Sequence, residues 1–303
     1  MRFTSFLFTV LATGEVMATI LPIRLVSFNI RYAANATERM YNEKPWADRA
    51  QPVVDQLTGA ITGAPLGVQT IIGLQEVLYT QLQDLRRGLG DDWAYIGVGR
   101  DDGKQAGEFN PIFYRKSDVR LLYNVTKWLS PTPDKPSYGW KASSRRIVNV
   151  GVFEHMATAK RFISANTQLD DVSMEARTKG AQVALNVIKD AQKTWGPLAV
   201  SLTGDFNSQP GSQNAYATVK NSGYLAEVYT TATASQRFGE YNTYTGFDPA
   251  KQDQVSTRID YVWLGPVAEK RWSVVRYEVL SNVQKGIYIS DHRAVVSDVK
   301  IVV

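Results

Sequence analysis

From Ile23 onward the chain keeps returning to short apolar, β-branched runs that stop on a polar residue, with few helical stretches between them. A strand repeats every two residues and a helix every 3.6, and these runs read as strands alternating with a few helices. The candidate strands are 24–32 (RLVSFNIRY), 70–74, 93–98, 112–115, 119–128, 146–153, 161–167, the run through Ala199, Val200 and Leu202 into LTGDFNS (202–208), 258–264, 272–280 and 294–302. Helical period marks 46–57 (with Pro52 inside it), 79–88, 173–194 as the longest, and 213–221. The strands 146–153 and 161–167 read as a hairpin with His155 near its turn, and His155 reads as a surface residue. Segments 129–145 and 230–256 are polar and irregular; they either flank a site or form ordinary surface loops. No repeat or linker interrupts the pattern. Many strands, few helices and no repeat predict one α+β domain in which helices cover packed sheets.

Composition narrows the chemistry. The 303 residues are 44% hydrophobic and 21% charged, an ordinary globular balance. A formal charge of +5, spread along the chain, suits anionic substrates but is not a polybasic arm. With no cysteine, thiol nucleophiles, disulfides and cysteine–zinc sites are excluded. Histidine chemistry must use one of two residues, His155 or His292.

The N-terminus reads as a leader over residues 1–21, with Arg2 ahead of an apolar run from Phe6 to Ala12 and small residues near Ala18, followed by one domain over 22–303. The alternative is an N-terminal strand packed on the domain. A leader implies a secreted protein; without one the chain is cytoplasmic. The run is too short and broken to span a bilayer. Asn35-Ala36-Thr37 and Asn124-Val125-Thr126 are acceptor triplets for N-glycosylation, compatible with secretion. The expected state is a monomer.

The polar residues at the strand ends form a set: Asn29, Glu76, Asp205 with Asn207, Asp260 and Asp291-His292. Functional groups concentrate where a rigid scaffold ends. Asp205 and Asn207, two residues apart at extended spacing, share a face and can aim a carboxylate and an amide at one point; an Asx turn leaving the strand is the alternative. Glu76 can serve as a helix-start acid. Asp260 lies among Ile259, Tyr261 and Val262, where a charge needs a partner.

In order, the motifs FNIRY, GLQEV, GRDDG, FNPIFYRK, LTGDFNS, RIDYVW and ISDHRAV resemble the endonuclease/exonuclease/phosphatase superfamily over residues 23–303. The resemblance implies a four-layer α/β/β/α sandwich, an active site at one end of the paired sheets, and a divalent metal, Mg²⁺ first with Mn²⁺ as the alternative. It implies Glu76 as the main metal carboxylate, with Asn29 as ligand or orienting amide and Asp291 supporting the metal. Asp205 would activate water, Asn207 would hold the water or the developing charge, and His292 would be the paired base or phosphate contact, its other N–H accepted by Asp260. Arg100 and Asn166 are the candidate substrate contacts; for Arg100 the alternative is a surface salt bridge with Asp101 or Asp102. One position departs from the family pattern: NTQLDD carries Gln168 where a histidine is usual. An amide donates a hydrogen bond but cannot act as a general acid near neutral pH. A lost acid–base contribution costs roughly 10²- to 10⁴-fold in rate.

The resulting expectation is a metal-dependent phosphoester hydrolase, either phosphodiesterase, nuclease or phosphatase, using in-line attack by activated water. The alternative is a weakened or non-hydrolytic protein on the same fold that binds a phosphorylated or other ligand. Nucleic acid, phospholipid and small phosphoesters all remain open as substrates.

Overall fold

The structure, a computed structural model, describes residues 20–248 and 257–302. The leader reading falls on residues that lie mostly outside these, as do residues 249–256 of the second polar segment. In chain order the main elements are β1 (Ile20–Asn29), α1 (Trp46–Thr62), β2 (Gln69–Gln75), α2 (Tyr79–Leu89), β3 (Trp93–Ile96), β4 (Ile112–Arg115), β5 (Val119–Trp128), β6 (Ile147–His155) and β7 (Arg161–Gln168). There follow α3 (Met174–Trp195), β8 (Ala199–Asp205), α4 (Ala215–Asn221), β9 (Ala226–Glu227), α5 (Val228–Thr231), β10 (Arg237–Gly239), β11 (Asp260–Gly265), β12 (Trp272–Val279), β13 (Val283–Gln284), β14 (Ile287–Tyr288) and β15 (Val295–Val302). The strand expected over 24–32 begins earlier, at Ile20, inside the boundary drawn for the leader, and ends at Asn29.

Two sheets carry the architecture. One has seven strands in the order β10-β12-β15-β1-β2-β4-β3, the other six in the order β5-β6-β7-β8-β11-β9. Side-chain parity sorts each strand between an inter-sheet layer and a helix-covered layer. In β1, Ile23 and Leu25 face the layer between the sheets, while Val26 and Phe28 join Val53, Leu57, Leu82 and Leu85 of α1 and α2. In β8, Val200 and Leu202 pack with Ala184, Leu185 and Ile188 of α3 and Val219 of α4. The chain is therefore an α+β four-layer α/β/β/α sandwich. Each fully buried Leu, Ile or Phe in these clusters contributes about 1.5–3 kcal/mol.

The inter-sheet layer changes character along its length. At one end it holds Ile23, Ile71, Phe153, Phe162 and Val262. Towards the other end the same parity delivers Ser27, Asn29, Gln75, Asn149, Asn166, Gln168, Thr203, Asp205 and Asp260, all buried. Buried polar groups need partners, and these bond across the gap. Asn166 accepts from Gln75 Nε2 at 2.7 Å and donates to the carbonyls of Leu74 (2.7 Å), in β2 of the opposite sheet, and Pro111 (3.1 Å), immediately before β4. Gly73 is the close-approach point: a Cβ there would lie 2.2 Å from Thr203 Oγ1.

His155 departs from its surface reading. It is buried, with Nδ1 2.8 Å from Thr158 Oγ1 in the β6–β7 turn, so it closes the hairpin. Asn35 and Asn124 are both exposed. Among the described residues no helix is long and apolar enough to cross a membrane.

Candidate active site

Strand register assembles the site. β7 and β8 run parallel with Gln168 opposite Asp205, and β8 pairs antiparallel with β11 so that Asp205 faces Asp260. In the other sheet, parallel β1 and β2 align Asn29 with Gln75, and Glu76 follows directly. All of these lie at the polar end of the inter-sheet layer.

Two amides tie the sheets together there. Asn29 Nδ2 donates to Glu76 Oε1 at 3.0 Å and to Asp205 Oδ2 at 3.1 Å. Gln168 Nε2 donates to the same two carboxylates, at 2.9 and 3.4 Å. His292 enters from the loop before β15, with Nδ1 2.9 Å from Asp260 Oδ2 and Nε2 3.9 Å from Asp205 Oδ2. Its backbone N–H donates to Ser290 Oγ, which donates to the Asn29 carbonyl at 2.7 Å. Asn207 turns back on Asp205: its N–H donates to Asp205 Oδ1 at 2.9 Å, and its side-chain amide donates to the Leu169 carbonyl at 3.0 Å.

The backbone is strained at this end. Arg31, Glu76 and Asn207, each just past a strand, have φ of 58°, 60° and 47°. Such left-handed conformations are uncommon without glycine and cluster at functional sites.

Electrostatics separate the roles. His292 is fully enclosed; burial works to lower its pKa, but the charge and hydrogen bond of Asp260, with Asp205 and Asp291, raise it well above the ordinary value. Asp260 is therefore the neighbour that most favours the charged form of His292. Burial, with Asp260 and Glu76 nearby, pushes the Asp205 carboxyl up to about 7 against the opposing His292 charge. Asp291 is raised by burial and by Glu76, partly offset by His292. Glu76 goes the other way: burial is opposed by the Asn29 hydrogen bond, His292, Arg31 and the Tyr32 N–H, which together hold it below its usual value.

These groups border a cavity of about 660 Å³. Its floor holds Glu76, Gln168, Asp205, Asn207, Asp291 and His292; its walls add Arg31, Tyr32, Arg100, Glu108, Ser143, Ser144, Arg146, Asp171 and Tyr244. Asn29 and Asp260 stand behind the floor, both fully buried. Arg100 reaches the cavity, but its guanidinium forks onto Glu108 at 2.6 and 2.9 Å, not onto Asp101 or Asp102. Asn166 does not line the cavity. Two residues short of the end of β7, it is buried among backbone carbonyls and acts as a clip between the sheets. Segments 129–145 and 230–256 do more than cover the surface, since Ser143, Ser144 and Tyr244 come from them. Tyr244 stacks edge-on against His292, ring centroids 5.0 Å apart.

Sequence reasoning missed Arg31, Glu108 and Arg146 as wall residues. Arg31 lies two positions beyond Asn29 and Arg146 immediately before β6, so proximity to a strand end was the available signal. Glu108 follows a glycine in a loop and carried none.

The cavity fits a divalent cation. Three arginines line it against five carboxylates, Glu76, Glu108, Asp171, Asp205 and Asp291, so an anionic substrate needs added positive charge there. Asp205, Asp260 and His292 place one ligand atom each within 4.8 Å of one another. That trio, however, is spent on a histidine–aspartate hydrogen bond and includes a proton-bearing imidazole. Glu76 and Asp291 also line the cavity and offer the hard carboxylate oxygens that divalent cations of this kind take.

A paired-sheet sandwich closed at one end by an acidic, amide-bridged cavity is an arrangement suited to phosphoester hydrolysis. The chain belongs to the Endonuclease/Exonuclease/phosphatase family, whose model matches residues 26–292. Members of this family are phosphoesterases that usually use divalent metals. No curated protein matches the chain. Among solved structures it is similar to an endonuclease/exonuclease/phosphatase from Bacteroides vulgatus, at 32% identity and a TM-score of 0.79, covering 92% of this chain and 99% of that one. It is also similar to a mannosyl-6-phosphatase from Bacteroides thetaiotaomicron, at 29% identity and a TM-score of 0.78, covering 91% and 99%. A family protein from the same organism matches at 29% identity and a TM-score of 0.79, covering 94% and 99%.

Proposed function

We propose that the protein hydrolyses a phosphoester with a divalent cation, Mg²⁺ or Mn²⁺, held at Glu76 and Asp291. When bound, the cation would neutralise phosphate oxygens and stabilise charge on the leaving oxygen. Asp205 takes the proton from the attacking water; a carboxyl near 7 is matched to that task. His292, charged and held by Asp260, contacts a phosphate oxygen as negative charge builds on it. Asn29 and Gln168 fix the distance between Glu76 and Asp205, so that water and phosphate meet at one geometry. The single observation that carries the reading is this pair of carboxylates from opposite sheets, joined by two amides beside a cationic histidine. The similarity to a mannosyl-6-phosphatase supports phosphomonoesters over nucleic acid.

The test is phosphate release from a panel of phosphomonoesters and phosphodiesters, with Mg²⁺ or Mn²⁺ and with chelator. Metal-dependent turnover that falls by about 10²-fold or more in Asp205→Asn is the expected result. No turnover on any ester would defeat the reading. Gln168 favours a second reading, a binding protein, because its amide supplies no proton. Gln168→His separates the two: a gain in turnover identifies a hydrolase, and unchanged inactivity with tight ligand binding identifies a binder.

A further inference from the structure

The chemistry described so far concerns the cavity floor; the walls carry separate information. Every arginine that lines the cavity already has a carboxylate. Arg31 contacts Glu43 at 3.3 and 3.4 Å, Arg100 forks onto Glu108 at 2.6 and 2.9 Å, and Arg146 reaches Asp171 at 2.8 Å. Asp170 stands behind Arg146 at 3.7 Å. Each of these guanidiniums is already engaged, with Glu43 shared between Arg31 and the buried Arg49 (3.7 Å), so the wall offers fewer free cations than a clamp for a second phosphate or a nucleic-acid backbone needs.

Neutral guanidinium–carboxylate pairs have a different use. Each presents N–H donors and carboxylate lone pairs within a few ångströms, and a hydroxyl both donates and accepts. The Nε–H groups of Arg100 and Arg146 are buried and have no hydrogen-bond partner. Arg146 is itself only 7% exposed. The half-exposed Ser144 adds a hydroxyl to the same wall, and Tyr32 and Tyr244 add rings on which C–H groups can rest. Donors, acceptors and rings thus line one cavity of about 660 Å³, which has room for a sugar phosphate.

We infer that Arg100–Glu108, Arg146–Asp171 and Ser144 read the hydroxyls of an uncharged, polyhydroxylated leaving group, making the preferred substrate a phosphomonoester of a sugar. This rests on the proposed hydrolysis and adds the leaving group to it. A site built to bond hydroxyls discriminates strongly against an analogue lacking them, because its own polar groups are then left unpaired.

The experiment compares kcat/KM for a hexose 6-phosphate, p-nitrophenyl phosphate and a 5′-phosphorylated dinucleotide, using the full chain with Mg²⁺ or Mn²⁺. The wild type is expected to prefer the hexose phosphate to the dinucleotide. In Glu108→Gln the ratio of kcat/KM for hexose phosphate to that for p-nitrophenyl phosphate is expected to fall at least tenfold, chiefly through KM. Ser144→Ala, at a half-exposed loop position that does not threaten folding, is expected to lower the same ratio severalfold. A ratio that stays constant in both variants, or a wild type that prefers the dinucleotide, overturns the inference while leaving phosphoester hydrolysis standing. Absence of hydrolysis on all three substrates overturns the reading of the site itself, and the inference with it.

Discussion

Asp260→Asn removes the largest of the interactions that favour the charged form of His292, the others being Asp205 and Asp291. The two side chains have nearly the same shape, and Asp260 is fully buried, so the exchange removes charge with little loss of packing. Asp260 Oδ2 lies 2.9 Å from His292 Nδ1. A hydrogen bond to a charged group is worth about 1.5–3 kcal/mol and a neutral one about 0.5–1.5, so the imidazolium loses roughly 1–2 kcal/mol. At 1.36 kcal/mol per pKa unit, the His292 pKa should fall by about 0.7 to 1.5 units. With only two histidines in the chain, imidazole resonances assign themselves. His155 serves as internal reference, since burial holds its pKa below the ordinary value while Asp118 opposes only in part. An NMR titration should therefore show His292 titrating well above 6.5 in the wild type, dropping in Asp260→Asn, with His155 unmoved. The alkaline limb of kcat/KM should drop with it, because the rate needs the protonated ring. An unchanged His292 titration would refute the assignment of Asp260 as its electrostatic brace.

Two further outcomes follow from the same geometry. The Asp205 carboxyl, raised to about 7, binds a proton where an ordinary aspartate would not, and a cation beside it favours the charged form. Metal binding should thus release protons, and calorimetry should show affinity falling as pH drops below about 7; pH-independent affinity would contradict this. Gly73→Ala would drive a methyl to 2.2 Å from Thr203 Oγ1 and 2.7 Å from Asn166 Oδ1. Overpacking of this kind costs about 1–3 kcal/mol, visible as a lower denaturant midpoint at constant slope, and an unchanged midpoint would show that the sheets can part there at no cost.

The strand ends were legible because period-two patterning and polarity agree there. Asp260 announced itself as a charge among apolar neighbours in need of a partner, and the structure supplies His292. Glu76 and Asp205 were readable as groups delivered by strands, but that they share two bridging amides was not, since this depends on how two sheets face each other. Arg100 shows the limit of local reading. Its neighbours Asp101 and Asp102 suggested a surface pair, yet the loop folds back and brings Glu108 to it. Asn166 shows a second limit: motif position placed it at the site, whereas its place two residues below Gln168 on β7 commits it to the buried layer. His155 shows a third limit: a hairpin turn reads as exposed, while the ring tucks under it against Thr158.

One consequence of the shared side-chain parity concerns where this chain can change. Core residues and cavity-lining groups alternate along the same strands, so losing one residue within β8 would exchange the facing of Leu202 and Asp205 together. Chemistry and folding are inherited as one unit on that scaffold. The loops that supply Ser143, Ser144, Glu108 and Tyr244 lie outside that register constraint. New substrates should therefore arise through the loops, while the strands that hold Glu76, Asp205 and Asp260 keep their length.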